Sequence, residues 1–124
     1  MHQSNDKNNS KALDLRRDVP RSGSATLAGF AWLGRAADKA RAKRAGLLGD
    51  YISLCSMDKG FLARAGVPED EFLELIHRGV TDEELGAHFE RHVGPANRKA
   101  ANDWVLVDMH EHLVALDREE RRAA

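Results

Sequence analysis

Helix start and stop signals follow one another closely through the middle of the sequence. Ser56 is a suitable N-cap for a helix over residues 57–65, and Gly66 can end that helix because glycine adopts the left-handed C-cap conformation without strain. Pro68 suits the first position of a second helix, with three acidic residues behind it at the positive end of the helix dipole, and Gly79 ends it. Helices this short are not stable alone, so we expect them to pack against one another.

Two further helices are predicted towards the C-terminus. Thr81 and Glu84 have the spacing of a capping box, and the helix that they open runs to about Val93. A last helix is predicted over residues 96–116, although the run Val105-Leu-Val107 would also suit a strand.

The N-terminal part predicts an extended arm followed by the longest helix. Residues 24–44 are rich in helix-forming and small residues, and a serine at position 22 or 24 can cap the start. In residues 13–22, Pro20 disfavours helical geometry in the residue before it. The polar run 1–12 predicts a disordered leader.

Together these elements predict an all-α fold, a compact bundle of about five helices preceded by an extended N-terminal arm. A chain of 124 residues has the size of one domain, which we place at residues 13–117, with a charged, fraying tail over 118–124. The predicted core comprises Leu27, Phe30, Leu33, Ile52, Leu54, Phe61, Leu62, Phe72, Leu75, Ile76, Leu85, Phe89 and Trp104.

Composition excludes several classes of protein. With 42% hydrophobic and 31% charged residues the chain is of ordinary globular type, and its apolar stretches fall far short of the roughly 18 residues of a spanning helix. The polar N-terminus lacks the apolar centre of a secretory signal. Cys55 is the only cysteine, so a structural disulfide is excluded, and we expect a cytoplasmic protein without a cofactor.

Charge is distributed unevenly along the chain. Residues 11–50 carry nine basic and four acidic side chains, whereas residues 51–95 carry four basic and nine acidic ones. Opposite halves can attract each other within one fold, or a basic half can bind nucleic acid. The net charge of −1, the few aromatic residues and the absence of a helix-turn-helix pattern argue against nucleic acid.

On a helical wheel of the long helix, two charged residues lie inside or beside the apolar stripe. Arg41 lies within the stripe and Asp38 at its margin, three residues apart, whereas Lys39 points away. Because an unpaired buried ion is costly, we expect Asp38 and Arg41 to pair with each other, with Asp50 or Tyr51, or else to face a pocket. The pair is then either structural, or Arg41 holds an anionic ligand through its planar donor fork.

Two other residue types are candidates for chemistry. Cys55 precedes a predicted helix start, where a thiolate is stabilised, so it is a candidate nucleophile; a buried, unreactive thiol is the alternative. His88 and His92 are four residues apart and can offer two imidazoles to one ion, but the glutamate that follows the first histidine in zinc proteases is absent. We therefore predict no metal site.

Several separated blocks of sequence match a known pattern in the same order. The blocks are Leu13-Asp-Leu-Arg-Arg-Asp-Val-Pro-Arg-Ser22, Gly29-Phe-Ala-Trp-Leu-Gly-Arg35, Asp38-Lys-Ala-Arg-Ala42, Gly49-Asp-Tyr51 and Cys55-Ser-Met-Asp58. In these blocks, between about Leu13 and Val93, the chain resembles a bacterial family of small helical proteins catalogued as a domain of unknown function. The resemblance implies a helical fold and supplies no activity.

The functional expectation is a small binding or accessory domain. Its candidate site comprises Arg35, Asp38, Arg41, Tyr51 and Cys55, residue types that suit a small anionic molecule or a protein segment. The alternative is an enzyme that uses Cys55 or Asp38, with Arg41 holding an anionic substrate.

Overall fold

A computed structural model describes residues 11–123, so the predicted leader lies almost entirely outside the described residues. Within that range the all-α prediction is confirmed, with only a two-stranded hairpin beside the helices. The α-helices are α1 Leu33–Ala45, α2 Ser56–Ala65, α3 Glu69–His77, α4 Asp82–His92, α5 Pro95–Asp103 and α6 His110–Ala123. The strands are β1 Thr26–Leu27 and β2 Phe30–Ala31, and a π-helical segment, Trp104–Asp108, joins α5 to α6.

The predicted start of the longest helix is wrong, because the hairpin occupies the first part of residues 24–44. The two residues between the strands, Ala28 and Gly29, have φ angles of 54° and 81°. Positive φ at both central positions is the geometry that joins two antiparallel strands by a tight turn. The chain therefore turns back on itself before α1 begins at Leu33.

A residue distant in sequence holds this hairpin in place. Asn102 accepts a hydrogen bond from the backbone N–H of Ala31 and donates one to the carbonyl oxygen of Gly29, both at 2.9 Å. On the other side, Gly86 of α4 faces Ala28, and a Cβ at Gly86 would lie 2.8 Å from the Ala28 Cβ. The hairpin is thus stabilised by tertiary contacts that local sequence patterns do not contain.

The boundaries of the short helices agree closely with the predictions. Thr81 and Glu84 form the predicted capping box, and Gly66 ends α2 with φ 79°. The N-cap of α2 is Cys55 and not Ser56, so the thiol itself lies at the helix start.

The predicted last helix is two α-helices with the π-helical segment between them, and the strand alternative for Val105–Val107 is wrong. The indole of Trp104 lies against α2 at Gly60 and 4.0 Å from the Arg64 guanidinium. The C-terminal residues that were expected to fray continue α6 as far as Ala123.

The N-terminal arm, residues 13–22, is non-helical and packs against the loop that follows α1. Leu15 is buried, and its N–H donates to the carbonyl oxygen of Leu47 at 2.8 Å. Gly49 has φ 63°, and a Cβ there would lie 2.8 Å from the Leu15 carbonyl oxygen. Only glycine allows this close approach of arm and loop.

Most of the predicted core residues are buried around α1, as expected. Ile52 is the exception, since its side chain lies in the loop after α1 and is 67% exposed. Leu27, Leu54 and Trp104 are partly buried and pack against the core from outside.

Candidate functional site

Helix α1 is buried from Leu33 to Ala42, so its charged side chains must find partners inside the protein. Four charged side chains lie in this buried part, and each contacts a different element. Arg35 contacts Glu120 of α6, Asp38 contacts Arg21 of the N-terminal arm, Lys39 contacts Asp58 of α2, and Arg41 contacts Asp82 of α4. Lys39, which was expected to point away, is only 4% exposed because the helix is covered on all sides.

Asp38 and Arg41 belong to one ion-pair network and do not contact each other directly. Arg21 donates to Asp38 from Nη2 at 2.9 Å and to Asp82 from Nη1 at 2.9 Å. Arg41 donates to the same Asp82 at 2.7 Å and to the carbonyl oxygen of Val80 at 3.0 Å. Burial raises the pKa of Asp82, but hydrogen bonds from the two guanidinium groups outweigh it and leave the pKa lowered. The network joins the arm, α1 and α4.

A cleft of about 670 Å³ opens beside α1, between α6 and the loop that precedes α2. Three of the five candidate residues, Arg35, Tyr51 and Cys55, line it, and Asp38 and Arg41 do not. Arg35 and Lys39 share the helix face towards the cleft because they are four residues apart. The other lining residues are Leu15, Arg16, Trp32, Gly49, Asp50, Ile52, Met57, His112, Leu116, Glu119 and Glu120.

One carboxylate of α6 is hydrogen-bonded both to α1 and to the loop that follows α1. Glu120 accepts a bidentate pair of hydrogen bonds from Arg35, at 2.9 and 2.7 Å, and a third at 3.2 Å from the hydroxyl of Tyr51. Burial lowers the pKa of Arg35, but the Glu120 hydrogen bonds outweigh it and the pKa is raised. Burial and the neighbouring Glu120 charge both raise the pKa of Tyr51, so its hydroxyl stays a donor at neutral pH.

The Arg35 guanidinium also lies near aromatic rings, 5.4 Å from the centroid of Trp32 and 5.9 Å from that of Tyr51. Its side chain is 3% exposed, and its Nε is buried and has no hydrogen-bond partner in the part of the chain that the structure describes. One donor of the cleft arginine is therefore unsatisfied.

A second polar cluster lies around the thiol. Lys39 Nζ is 3.2 Å from Cys55 Sγ and 3.0 Å from Asp58 Oδ2. The same buried carboxylate accepts hydrogen bonds from the Trp32 indole at 2.7 Å and from the Cys55 backbone N–H at 3.1 Å. Trp32 and Leu54 have φ angles of 74° and 58°, so the chain is strained on either side of this cluster.

The two histidines considered as metal ligands lie close together, with ring centroids 4.3 Å apart. His88 Nε2, however, is 2.7 Å from Glu71 Oε2, while His92 is exposed. Among residues 11–123 no three or more histidine, cysteine or acidic side chains are grouped so that they can hold a metal ion.

Sequence reasoning missed four residues of the site, namely Trp32, Lys39, Asp58 and Glu120. The helical spacing of Leu113, Leu116 and Glu120 was an available signal, since it places Glu120 on the same face as two apolar residues. No comparable pattern in the sequence indicated that Lys39 would pair with Asp58.

The fold and the cleft define a small α-helical domain whose central helix carries buried, paired charges beside an open site. A family model described as Domain of unknown function (DUF5069) matches residues 17–123, and the chain belongs to that family. The match confirms the resemblance seen in the sequence and extends it through α5 and α6. No curated protein matches the chain. None of the helices in the described part of the chain is long and apolar enough to cross a membrane.

Proposed function

We propose that the protein binds a small molecule carrying a carboxylate or another oxyanion, with the cleft beside α1 as its site. The observation that carries this proposal is the paired donation of the Arg35 fork and the Tyr51 hydroxyl to a single carboxylate. A planar guanidinium with two parallel donors is the group that proteins use to recognise carboxylate and phosphate.

The rest of the cleft suits the remainder of such a ligand. Its volume of about 670 Å³ is in the range of small-molecule sites, roughly 300–1,000 Å³. Ile52 and Leu116 offer apolar surface, and Lys39, which pairs with Asp58, lies on the same wall as Arg35. We therefore expect an amphipathic ligand with its anionic end at α1.

A titration of the purified protein with benzoate, acetate and inorganic phosphate, followed by NMR, tests the proposal. We expect saturable binding of at least one probe and about a tenfold loss of affinity in Arg35→Lys, which keeps the charge but removes the fork. Arg44→Lys is the matched control, because Arg44 is exposed at the last turn of α1 and does not line the cleft. Absence of binding by every probe, or equal binding by Arg35→Lys, contradicts the proposal.

A second candidate function is thiol chemistry at Cys55, the enzymatic alternative. It is favoured by one contact, the 3.2 Å separation of Lys39 Nζ and Cys55 Sγ at the start of α2. We propose a cytoplasmic location, because the reducing cytoplasm keeps thiols such as Cys55 free.

The alkylation rate of Cys55 by iodoacetamide tests this second candidate. The rate is expected to exceed that of a free thiol at the same pH and to fall in Lys39→Met. A wild-type rate at or below that of a free thiol would exclude it.

A further inference from the structure

We infer that Glu120 is an internal substitute for the ligand, so that the end of α6 occupies the Arg35 and Tyr51 donors of the cleft until an external oxyanion displaces it. The inference rests on the proposed function, because it assigns regulation to the same site.

Glu120 and an external carboxylate would compete for the same hydrogen-bond donors of Arg35 and Tyr51. Glu120 takes both outer nitrogens of Arg35 and the Tyr51 hydroxyl at once. The carboxylate side chain is 12% exposed and the arginine 3%, so little of the pair faces water. A ligand carboxylate cannot bind the two outer nitrogens of Arg35 while Glu120 occupies them.

The end of α6 is attached in a way that allows release. Leu113 is buried and Leu116 is partly buried against the core. Beyond Leu116 the described contacts are polar: Ser22 donates to Asp117 at 2.8 Å, and Glu120 accepts from its two partners. A ligand carboxylate that replaces Glu120 makes the same hydrogen bonds to Arg35 and Tyr51, so the exchange leaves no buried donor newly unpaired.

A second hollow supports this loose attachment. It measures about 200 Å³ and is lined by Val19 and Pro20 of the arm and by Asp117 and Arg121 of α6. The end of α6 therefore leaves open space beside the hydrogen bond between Ser22 and Asp117.

The Glu120 carboxylate does not satisfy every hydrogen-bond donor of Arg35. Arg35 Nε is buried and, among the described residues, has no hydrogen-bond partner while Glu120 occupies the outer nitrogens. An external oxyanion placed differently, or one with more than two oxygens such as phosphate, can satisfy a donor that Glu120 does not.

The decisive experiment compares wild type with Glu120→Gln, which keeps the shape of the side chain and removes its charge. Inorganic phosphate and benzoate are the probes, and their dissociation constants are measured by NMR titration. We expect about a tenfold tighter binding in Glu120→Gln, because the internal competitor is weakened. Glu111→Gln, an exposed acid on α6 outside the cleft, is the control for general charge and is expected to bind as wild type does.

Amide hydrogen exchange gives a second readout that needs no variant. Saturating phosphate or benzoate is expected to speed exchange over residues 117–123 of wild type. Glu120→Gln is expected to exchange quickly there without any probe.

The two proposals fail in different ways. Equal affinity of wild type and Glu120→Gln, or unchanged exchange in liganded wild type, overturns the inference and leaves the binding function standing. Absence of binding in both proteins overturns the proposed function.

Discussion

Trp32 holds an unusual backbone conformation at the start of α1. Its φ of 74° places a bulky residue in the left-handed region, which costs on the order of 1–3 kcal/mol. Three contacts maintain it: a backbone hydrogen bond to the Gly23 carbonyl oxygen at 2.9 Å, the indole bond to Asp58 at 2.7 Å, and burial of the ring to 1% exposure. In this conformation the indole donates to Asp58, the carboxylate that also pairs with Lys39.

Gly23→Ala is predicted to disturb this residue. An added Cβ would lie 2.5 Å from Cε3 of Trp32, so the ring or the arm must move. Overpacking of this kind is expected to lower the free energy of unfolding by about 1–3 kcal/mol, measured by urea denaturation. Gly94→Ala is the control, since a Cβ there meets nothing within 4 Å among the described residues and only the N-cap preference of α5 changes, which is expected to cost less. Equal loss in the two variants would contradict the proposed packing.

For helices and strands, the sequence predicts correctly those boundaries that depend on residues close together in the chain. The capping box of α4 and the glycine end of α2 are confirmed because each needs only residues within one turn. The hairpin was missed because residues 24–31 are small or apolar and read as helix, whereas Asn102 and Gly86 decide their conformation. Tertiary contacts outweigh local helix propensity here.

Asn102→Ala is predicted to loosen the hairpin. The substitution leaves the buried N–H of Ala31 without an acceptor, which costs roughly 1–3 kcal/mol. Hydrogen exchange is expected to increase over residues 26–31 more than elsewhere. Asn97→Ala, an exposed change on the same helix, serves for comparison and should leave that exchange pattern as in wild type. Uniform acceleration along the whole chain would show that Asn102 has no special link to the hairpin.

At the scale of the whole molecule, α1 is the centre through which the other elements are joined. The sequence indicated that Asp38 and Arg41 need partners, and a structural role was one of the two interpretations. Their partners, Arg21 and Asp82, are too distant in sequence to be identified without the fold. The expectation that Arg35, Asp38, Arg41, Tyr51 and Cys55 form one binding site stays a prediction as to function. The structure places Arg35, Tyr51 and Cys55 in one cleft, and Asp38 and Arg41 do not line it.

The network gives the molecule a pH-dependent contribution to stability through Asp82. Its pKa is lowered in the folded protein from an ordinary value of 3.8, because the donated hydrogen bonds outweigh burial. A lowered folded pKa means that the unfolded chain binds the proton more readily. The stabilisation is therefore complete at pH values well above 3.8 and is lost as the pH falls through the folded pKa.

Asp82→Asn is predicted to lower the free energy of unfolding by roughly 3 kcal/mol at neutral pH, because Arg41 stays buried without its carboxylate. The difference between wild type and variant is expected to stay constant from neutral pH down to about pH 5 and to narrow below the ordinary pKa of aspartate. Urea denaturation of both proteins across this pH range measures it. Asp103→Asn removes an exposed ion pair with Lys99 and should cost only about 0–1 kcal/mol at neutral pH. If the Asp82→Asn difference instead widened as the pH fell, Asp82 would not be stabilised as a carboxylate, and the network could not be what joins the arm and α4 to the central helix.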